Sequence, residues 1–231
     1  WMVHSFPTRR SSDLVSETVS VTAGAAPWIE TTPGSGMTLL SSSDLAIRQP
    51  VNLAQLLENV AGASTVSEGH AAVPAIRGLA RGRTLILIDG ARVTSERRVG
   101  PSATFLDPFV LEGVEIARGP GSVAYGSDAF GGVIHARTRR VDPTSPFGFR
   151  FHGTLGAGVP EMRGGVELSK GLGKGGFLLQ AHARRFDDYR SPEGEVFNSG
   201  AKDQGFLARL EYALWRGVLT AGWQKIGRAH V

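Results

Sequence analysis

The residues that could carry chemistry fail on their spacing. Gly119-Pro120-Gly121 with Gly126 has the glycines of a phosphate-cradling turn, but the third glycine comes too late for a dinucleotide fingerprint. Pro120 also fills a slot where the backbone must approach phosphate. Gly171-Leu172-Gly173-Lys174-Gly175 lacks the P-loop spacing and its hydroxyl residue, and no Gly-x-Ser-x-Gly elbow is present. The histidines, at positions 4, 70, 135, 152, 182 and 230, never fall at metal-ligand spacing. The chain has no cysteine, which removes thiolate catalysis, disulfides and Cys-type zinc sites. Asp187-Asp188 near Glu193 and Glu195 could gather a cation, but a solvated acidic loop accounts for them more simply. The expectation is therefore no catalytic residue, no metal site and no cofactor: a protein that is not an enzyme.

What remains is arginine. The net charge is +4, and Arg supplies nearly all of the positive charge because the only lysines are Lys170, Lys174, Lys202 and Lys225. A basic nucleic-acid binder using Arg77, Arg81, Arg83, Arg92, Arg97 and Arg98 is one alternative, and it requires salt-sensitive binding to DNA or RNA. No basic run is interleaved with aromatics as a nucleic-acid groove needs, so no nucleic-acid partner is expected.

The elements that would position these residues fall into two kinds. Residues 15–43, rich in Ser, Thr, Gly and Pro, read as an extended, mobile segment. Within it, Glu17, Thr18, Val19, Ser20, Val21, Thr22 and Ala23 alternate β-branched and small residues, so this stretch could add as a strand to an exposed sheet edge. Asp44 is a candidate N-cap. Leu53, Leu56, Leu57 and Val60 recur at helix spacing, which predicts a helix from Leu53 to about Val60 with Gly62 as its stop. Residues 73–76, 84–88, 110–117 and 133–137 read as strands. The run 84–88, Thr-Leu-Ile-Leu-Ile, is an apolar run that ends at the turn dipeptide Asp89-Gly90. Residues 44–140 thus form a compact α+β unit.

After Pro143 and Pro146 the period becomes two. Phe147, Phe149, Phe151, Leu155, Ala157 and Val159 alternate with Arg150, His152 and Thr154. Phe177, Leu179, Ala181 and Ala183 alternate with Gln180, His182 and Arg184. Phe206, Ala208, Leu210, Tyr212 and Leu214 alternate with Arg209 and Glu211, and weaker versions occupy 162–169 and 218–223. The links at 171–176 and 216–217 are short, whereas 187–203 is long and polar. Short turns on one side and long loops on the other mark an outer-membrane barrel; a soluble antiparallel sandwich or other β-rich binding module shares the alternation. No stretch reaches the ~18 continuous apolar residues of a transmembrane helix.

The ends have no such order. Residues 1–14 show neither period, and residues 226–231 cut a strand-like run short. Both resemble adapter read-through and are expected to be non-native.

Three blocks, in this order and spacing, resemble the plug domain of TonB-dependent outer-membrane receptors. They are Ile76-Arg77-Gly78-Leu79, then Arg83-Thr84-Leu85-Ile86-Leu87-Ile88-Asp89-Gly90, then the long run from Leu111 through Glu115, Arg118, Gly119, Pro120, Gly121, Tyr125, Gly126, Gly131 and Gly132 to Ile134. The third block departs from the family pattern at Gly113, where a basic residue is usual, and at His135-Ala136, where Asn-Ile is common; Ala61-Gly62-Ala63 replaces Pro-Gly-Val.

The resemblance implies an α+β plug domain (44–140) followed by antiparallel β strands of an incomplete transmembrane β-barrel (147–225). It implies energy-coupled uptake of a scarce nutrient (an iron–siderophore, haem, cobalamin or a glycan) across the outer membrane of a Gram-negative bacterium. The partners implied are the periplasmic domain of TonB, outer-membrane lipid and an unspecified nutrient ligand. Residues 17–23 resemble a TonB box on a periplasmic N-terminal segment, with the plug in the barrel lumen. Arg77 and Arg118 match plug arginines that pair with barrel-wall carboxylates, a task suited to the bidentate guanidinium fork. Arg97 and Arg98, in the irregular stretch after Asp89-Gly90, are a candidate ligand-side pair. The glycines of the third block permit positive φ and close packing, Pro120 rigidifies a turn, and Tyr125 can bury its ring: a dense wedge able to close a wide barrel.

Overall fold

A computed structural model gives the positions of residues 36–66, 72–93, 106–156, 161–188, 190–192, 194–197, 199–214 and 217–229. Its first part is built on a mixed five-stranded sheet. Strand β1 (Gly36–Leu40), which lies within the segment expected to be extended and mobile, pairs antiparallel with β7 (Leu111–Arg118). Next come β8 (Gly132–Thr138), β5 (Thr84–Ile88) and β6 (Ala91–Arg92), with β5 and β8 parallel. The apolar run of β5 is explained by burial on both faces. Ile86 joins the core of Leu53, Leu56, Leu57, Val114, Ile116 and Ile134, while Leu85 and Leu87 face Ala129, Val133 and Tyr125 on the other side.

Helix α1 (Ser42–Arg48) is capped by Ser41, whose side chain accepts from the Asp44 N–H, while the Asp44 carboxylate accepts from the Ser41 N–H at 2.7 Å. Asp44 is thus the N3 member of a capping box rather than the N-cap. Those Ser41 bonds hold its carboxyl below the usual range. The helix expected over 53–60 is shorter: α2 spans Leu53–Leu56. It continues as i to i−3 turns, in which Leu57 donates to Ala54 and Val60 to Leu57. The tighter turns still bury all four apolar residues, which is why the spacing imitated a longer helix. A small sheet of β2 (Ala63–Thr65), β3 (Pro74–Ile76) and β4 (Leu79–Ala80) stands beside it. A 3-10 turn (Pro108–Val110) precedes β7, and α3 (Ser122–Tyr125) follows it.

The second part is an antiparallel meander. Strands β9 (Gly148–Gly156), β10 (Glu161–Gly171) and β11 (Gly175–Phe186) are followed by a two-residue pair, β12 (Arg190–Ser191) with β13 (Gly194–Glu195), then β14 (Ala201–Leu214) and β15 (Gly217–Ala229). Strand β15 stays in register to Ala229, opposite Lys202, and so runs through residues expected to be a non-native tail. Alternation decides the faces. Phe149, Phe151, Leu155, Met162, Leu179 and Leu210 are exposed on one side, whereas Arg163, Glu167, Gln180, His182 and Arg184 are buried on the other. Polar side chains are the buried ones because the first part of the chain packs against that face. The sheet is open, with β9 and β15 at its edges. Among the described residues no helix is long and apolar enough to cross a membrane, which does not bear on strands.

Candidate functional site: the seam between plug and wall

The contact between the two parts starts from cross-strand rows on the wall. Arg163, Arg184 and Asp203 are register partners on β10, β11 and β14. Two arginines side by side repel unless both are neutralised. Arg184 is fully buried and bidentate to Asp203, with Nε to Oδ1 at 2.8 Å and Nη2 to Oδ2 at 2.7 Å. Its Nη1 donates to the Val51 carbonyl at 2.6 Å, and Asp107 stands 3.7 Å from its Nε. Arg163 donates to the Pro50 and Gln49 carbonyls at 3.1 and 3.4 Å and lies 3.3 Å from Glu161. Those carbonyls belong to Gln49, the left-handed C-cap of α1, and to the residue after it. Two wall arginines therefore hold three successive carbonyls, 49 to 51.

The second row is His152, Gly165, His182 and Gly205. Each imidazole lies over the neighbouring glycine: a Cβ at Gly165 would stand 2.5 Å from His152 Cε1, and one at Gly205 would collide with the His182 ring. The glycines are therefore the space in which the rings lie flat. Phe109, from the 3-10 turn, stacks on His152 with ring centroids 3.9 Å apart and receives the Arg150 guanidinium at 4.4 Å from its own centroid. In the third row, buried Glu167 accepts from Arg150 at 2.6 Å and from Gln180 at 2.5 Å, with Arg139 Nε at 3.4 Å. Burial, and then Arg150, lower the Arg139 pKa, while Glu167 opposes them; an arginine stays charged regardless. A cavity of about 210 Å³ borders this cluster, between α1, Phe109 and β9.

The fourth contact uses the Asp89-Gly90 turn between β5 and β6. Both residues have positive φ, 49° and 85°, as a two-residue hairpin turn of this twist requires. The Asp89 carboxylate accepts from the Thr138 N–H at 2.9 Å and from Arg209 Nη2 at 2.6 Å, and the Gly90 N–H donates to His135 Nε2 at 3.0 Å. One turn is thereby tied to β8 and to the wall strand β14.

The residues singled out from sequence are distributed as follows. Arg77 is exposed in the Arg77-Gly78 turn between β3 and β4 at φ 53°, and its N–H donates to Gly62. Arg118 donates to Thr38 Oγ1 at 2.6 Å and lies across Gly36, bracing β1. Among the described residues neither arginine forms an ion pair. Ile76 and Glu115 are buried, the latter opposite His135. Gly119 and Gly121 donate to Gly131 and Ala129, closing the third block on itself, with Pro120 between them. Gly126 has φ 73°. Arg92 clasps this loop through the Tyr125 carbonyl and Asp128. A Cβ at Gly132 would collide with the Ala117 carbonyl, and one at Gly131 would stand 2.8 Å from the Ile76 carbonyl. The stretch 17–23 and the pair Arg97 and Arg98 lie outside the described residues. The role of the wall arginines 150, 163, 184 and 209 in holding the first part of the chain, and their targets Asp107 and Phe109, were not singled out from the sequence. Their signal was charge at every second position of strands whose alternate positions are apolar. Among the described residues no group of three or more acidic or histidine side chains is placed to hold a metal.

Residues 29–133 match the model of the TonB-dependent Receptor Plug Domain. This part of the chain is a TonB-dependent receptor plug. The chain is 38% identical over 133 residues to an iron-regulated outer membrane virulence protein of Vibrio cholerae, covering 54% of the chain and 20% of that relative. It is 32% identical to the vitamin B12 transporter BtuB of Vibrio vulnificus, covering 80% of the chain and 31% of that protein. The chain thus spans under a third of the length of these relatives. The hemophore receptor HasR of Serratia marcescens, solved with its hemophore and heme, superposes with TM-score 0.68 over 83% of the chain and 32% of HasR, at 21% identity. That likeness extends the shared fold beyond the plug into the wall strands, so the fold is a plug with antiparallel strands of an unclosed barrel.

Proposed function

We propose that the chain is the plug and first wall strands of a receptor that carries a scarce nutrient across the outer membrane of a Gram-negative bacterium, powered by TonB. The observation that supports this best is the wall's division of labour. Its exposed apolar side chains point away from the plug, as lipid-facing residues do, while arginines of its inner face hold the plug. On this reading the plug fills a lumen and nothing in the cycle is an enzymatic step. The cargo is a large complex such as an iron–siderophore, haem or cobalamin, in keeping with what the related proteins are named for.

Residues 17–23 are the proposed TonB-binding strand. Pairing by strand addition needs backbone donors, and proline removes one. In the complete receptor, Val19→Pro is expected to abolish energised uptake while leaving surface ligand binding intact, read by labelled-nutrient accumulation against binding to de-energised cells. Uptake at the unmodified rate would overturn the assignment of this segment.

A further inference from the structure

The outward face of the wall carries a groove of about 910 Å³. Its origin lies in the registers. Gly153, Gly164 and Ala183 are partners across β9, β10 and β11, so one outward row has almost no side chains. The row on one side holds Phe151 and Val166; the row on the other holds Met162, Arg185 and Lys202. Phe151 and Met162 are mostly exposed and stand as banks above the glycine floor. At Gly164 a Cβ would meet only the His152 carbonyl, at 3.8 Å, so the floor is open there; at Gly153 it would stand 3.3 Å from Phe151 Cζ, so the Phe151 ring leans over that end of the floor.

One bank ends in two cations. Arg185 and Lys202 are direct register partners on β11 and β14. Such a like-charged pair is unfavourable unless an anion sits over it. Asp187 takes one position, 2.8 Å from Arg185 Nε, with both side chains about half exposed. The Lys202 side chain has no hydrogen bond or ion pair among the described residues. The height of the pair is also informative. Ten residues of β14 separate Lys202 from Tyr212, both on the outward face. At ~3.3 Å per residue and a tilt of ~45°, this spans roughly 25 Å, the height of an outer-membrane apolar band. The cations thus lie at one headgroup level and Tyr212 at the other. They adjoin the long 187–200 connection, at the end opposite the short 172–174 turn, and in outer-membrane barrels the long loops face outward.

We infer that this groove is a binding site for a phosphorylated, acylated lipid of the outer leaflet, with an acyl chain lying in the Gly153–Gly164–Ala183 trough and a phosphate bridging Arg185 and Lys202. The inference rests on the reading of the wall as a membrane-spanning barrel. A smooth apolar face would accept any lipid; a trough that ends in a cation pair selects one with an anionic head.

The test uses the complete receptor in non-ionic detergent. Native mass spectrometry counts bound diphosphoryl lipid A, its dephosphorylated form and inorganic phosphate. Preferential retention of the phosphorylated lipid is expected. Arg185→Glu with Lys202→Glu should weaken it about tenfold or more. Gly164→Leu, which fills the trough without a charge change, should also weaken it. Equal retention of the two lipids, or retention unchanged in both variants, overturns the site. Binding of inorganic phosphate as strong as that of the lipid overturns the acyl trough. Each variant is also tested for outer-membrane insertion and nutrient uptake. A receptor that inserts and transports but shows no phosphate preference sinks this inference alone; failure of the unmodified protein to insert sinks the reading beneath it.

Discussion

Arg77 sits where arginine is costly. Its φ of 53° lies in the left-handed region, and Gly78 follows at 74°. That two-residue turn favours Asn-Gly, and an ordinary side chain there costs roughly 1 kcal/mol. The expense has a purpose if the exposed guanidinium reaches a carboxylate on a wall strand beyond those described, which is the lock role proposed for it. Arg77→Asn separates the cases. In the complete receptor the variant is expected to lose hydrogen-exchange protection over 74–80, because the lost charge-assisted bonds, on the order of 1.5–3 kcal/mol, outweigh the strain relieved. A gain in protection would show that nothing holds the side chain. Arg97 and Arg98 make a different demand. If they face an anionic nutrient, replacing both with Ala should weaken binding well over tenfold, at ~1.5–3 kcal/mol per lost charged bond. Unchanged affinity in normally expressed receptor would return them to a solvated loop.

At the scale of elements, the plug is fastened from the wall side. Glu167 is shared at the seam by Arg150, Gln180 and Arg139, with its side chain 8% exposed. Glu167→Ala leaves two partly exposed guanidiniums without the carboxylate they share, a change that costs about 1.5–3 kcal/mol. The expected result is a receptor whose plug is cut by protease while the wall strands remain intact; an unchanged cleavage pattern would show that the seam does not depend on this cluster. The sequence showed the strands well, because alternation and apolar runs depend only on which faces are buried, and β5 begins and ends where its composition changes. It showed the seam poorly. Arg150, Arg184 and Arg209 were visible as polar-face residues, but their partners in the first part of the chain are the carbonyls of Val51, Phe109, Thr138 and Arg139, which carry no residue-type signal, together with Asp89, Asp107 and the Phe109 ring, which lie far from them in sequence. The length of α2 was misread because i to i−3 turns bury the same positions as a helix does.

At the scale of the whole molecule, the five-stranded wall has an inner face covered by the plug and an outer face that nothing covers among the described residues. Phe149, Phe151, Leu155, Leu179, Leu210 and Leu214 are exposed together with the groove. Large contiguous apolar patches are not tolerated by soluble monomers. The strand order also leaves β9 and β15 each with one unpaired edge, a row of donors and acceptors that recruits further strands. Either feature alone drives association in water; together they separate a membrane wall from a soluble β-rich module, which would cover its apolar face and blunt its edges. The 231-residue chain expressed by itself is therefore expected to form aggregates in detergent-free buffer and to gain strand content only with detergent or lipid, as read by size-exclusion chromatography and circular dichroism. A monodisperse monomer with full strand content in plain buffer would contradict the membrane reading of the outward face, because the exposed aromatic and aliphatic rows would then have found cover within the chain.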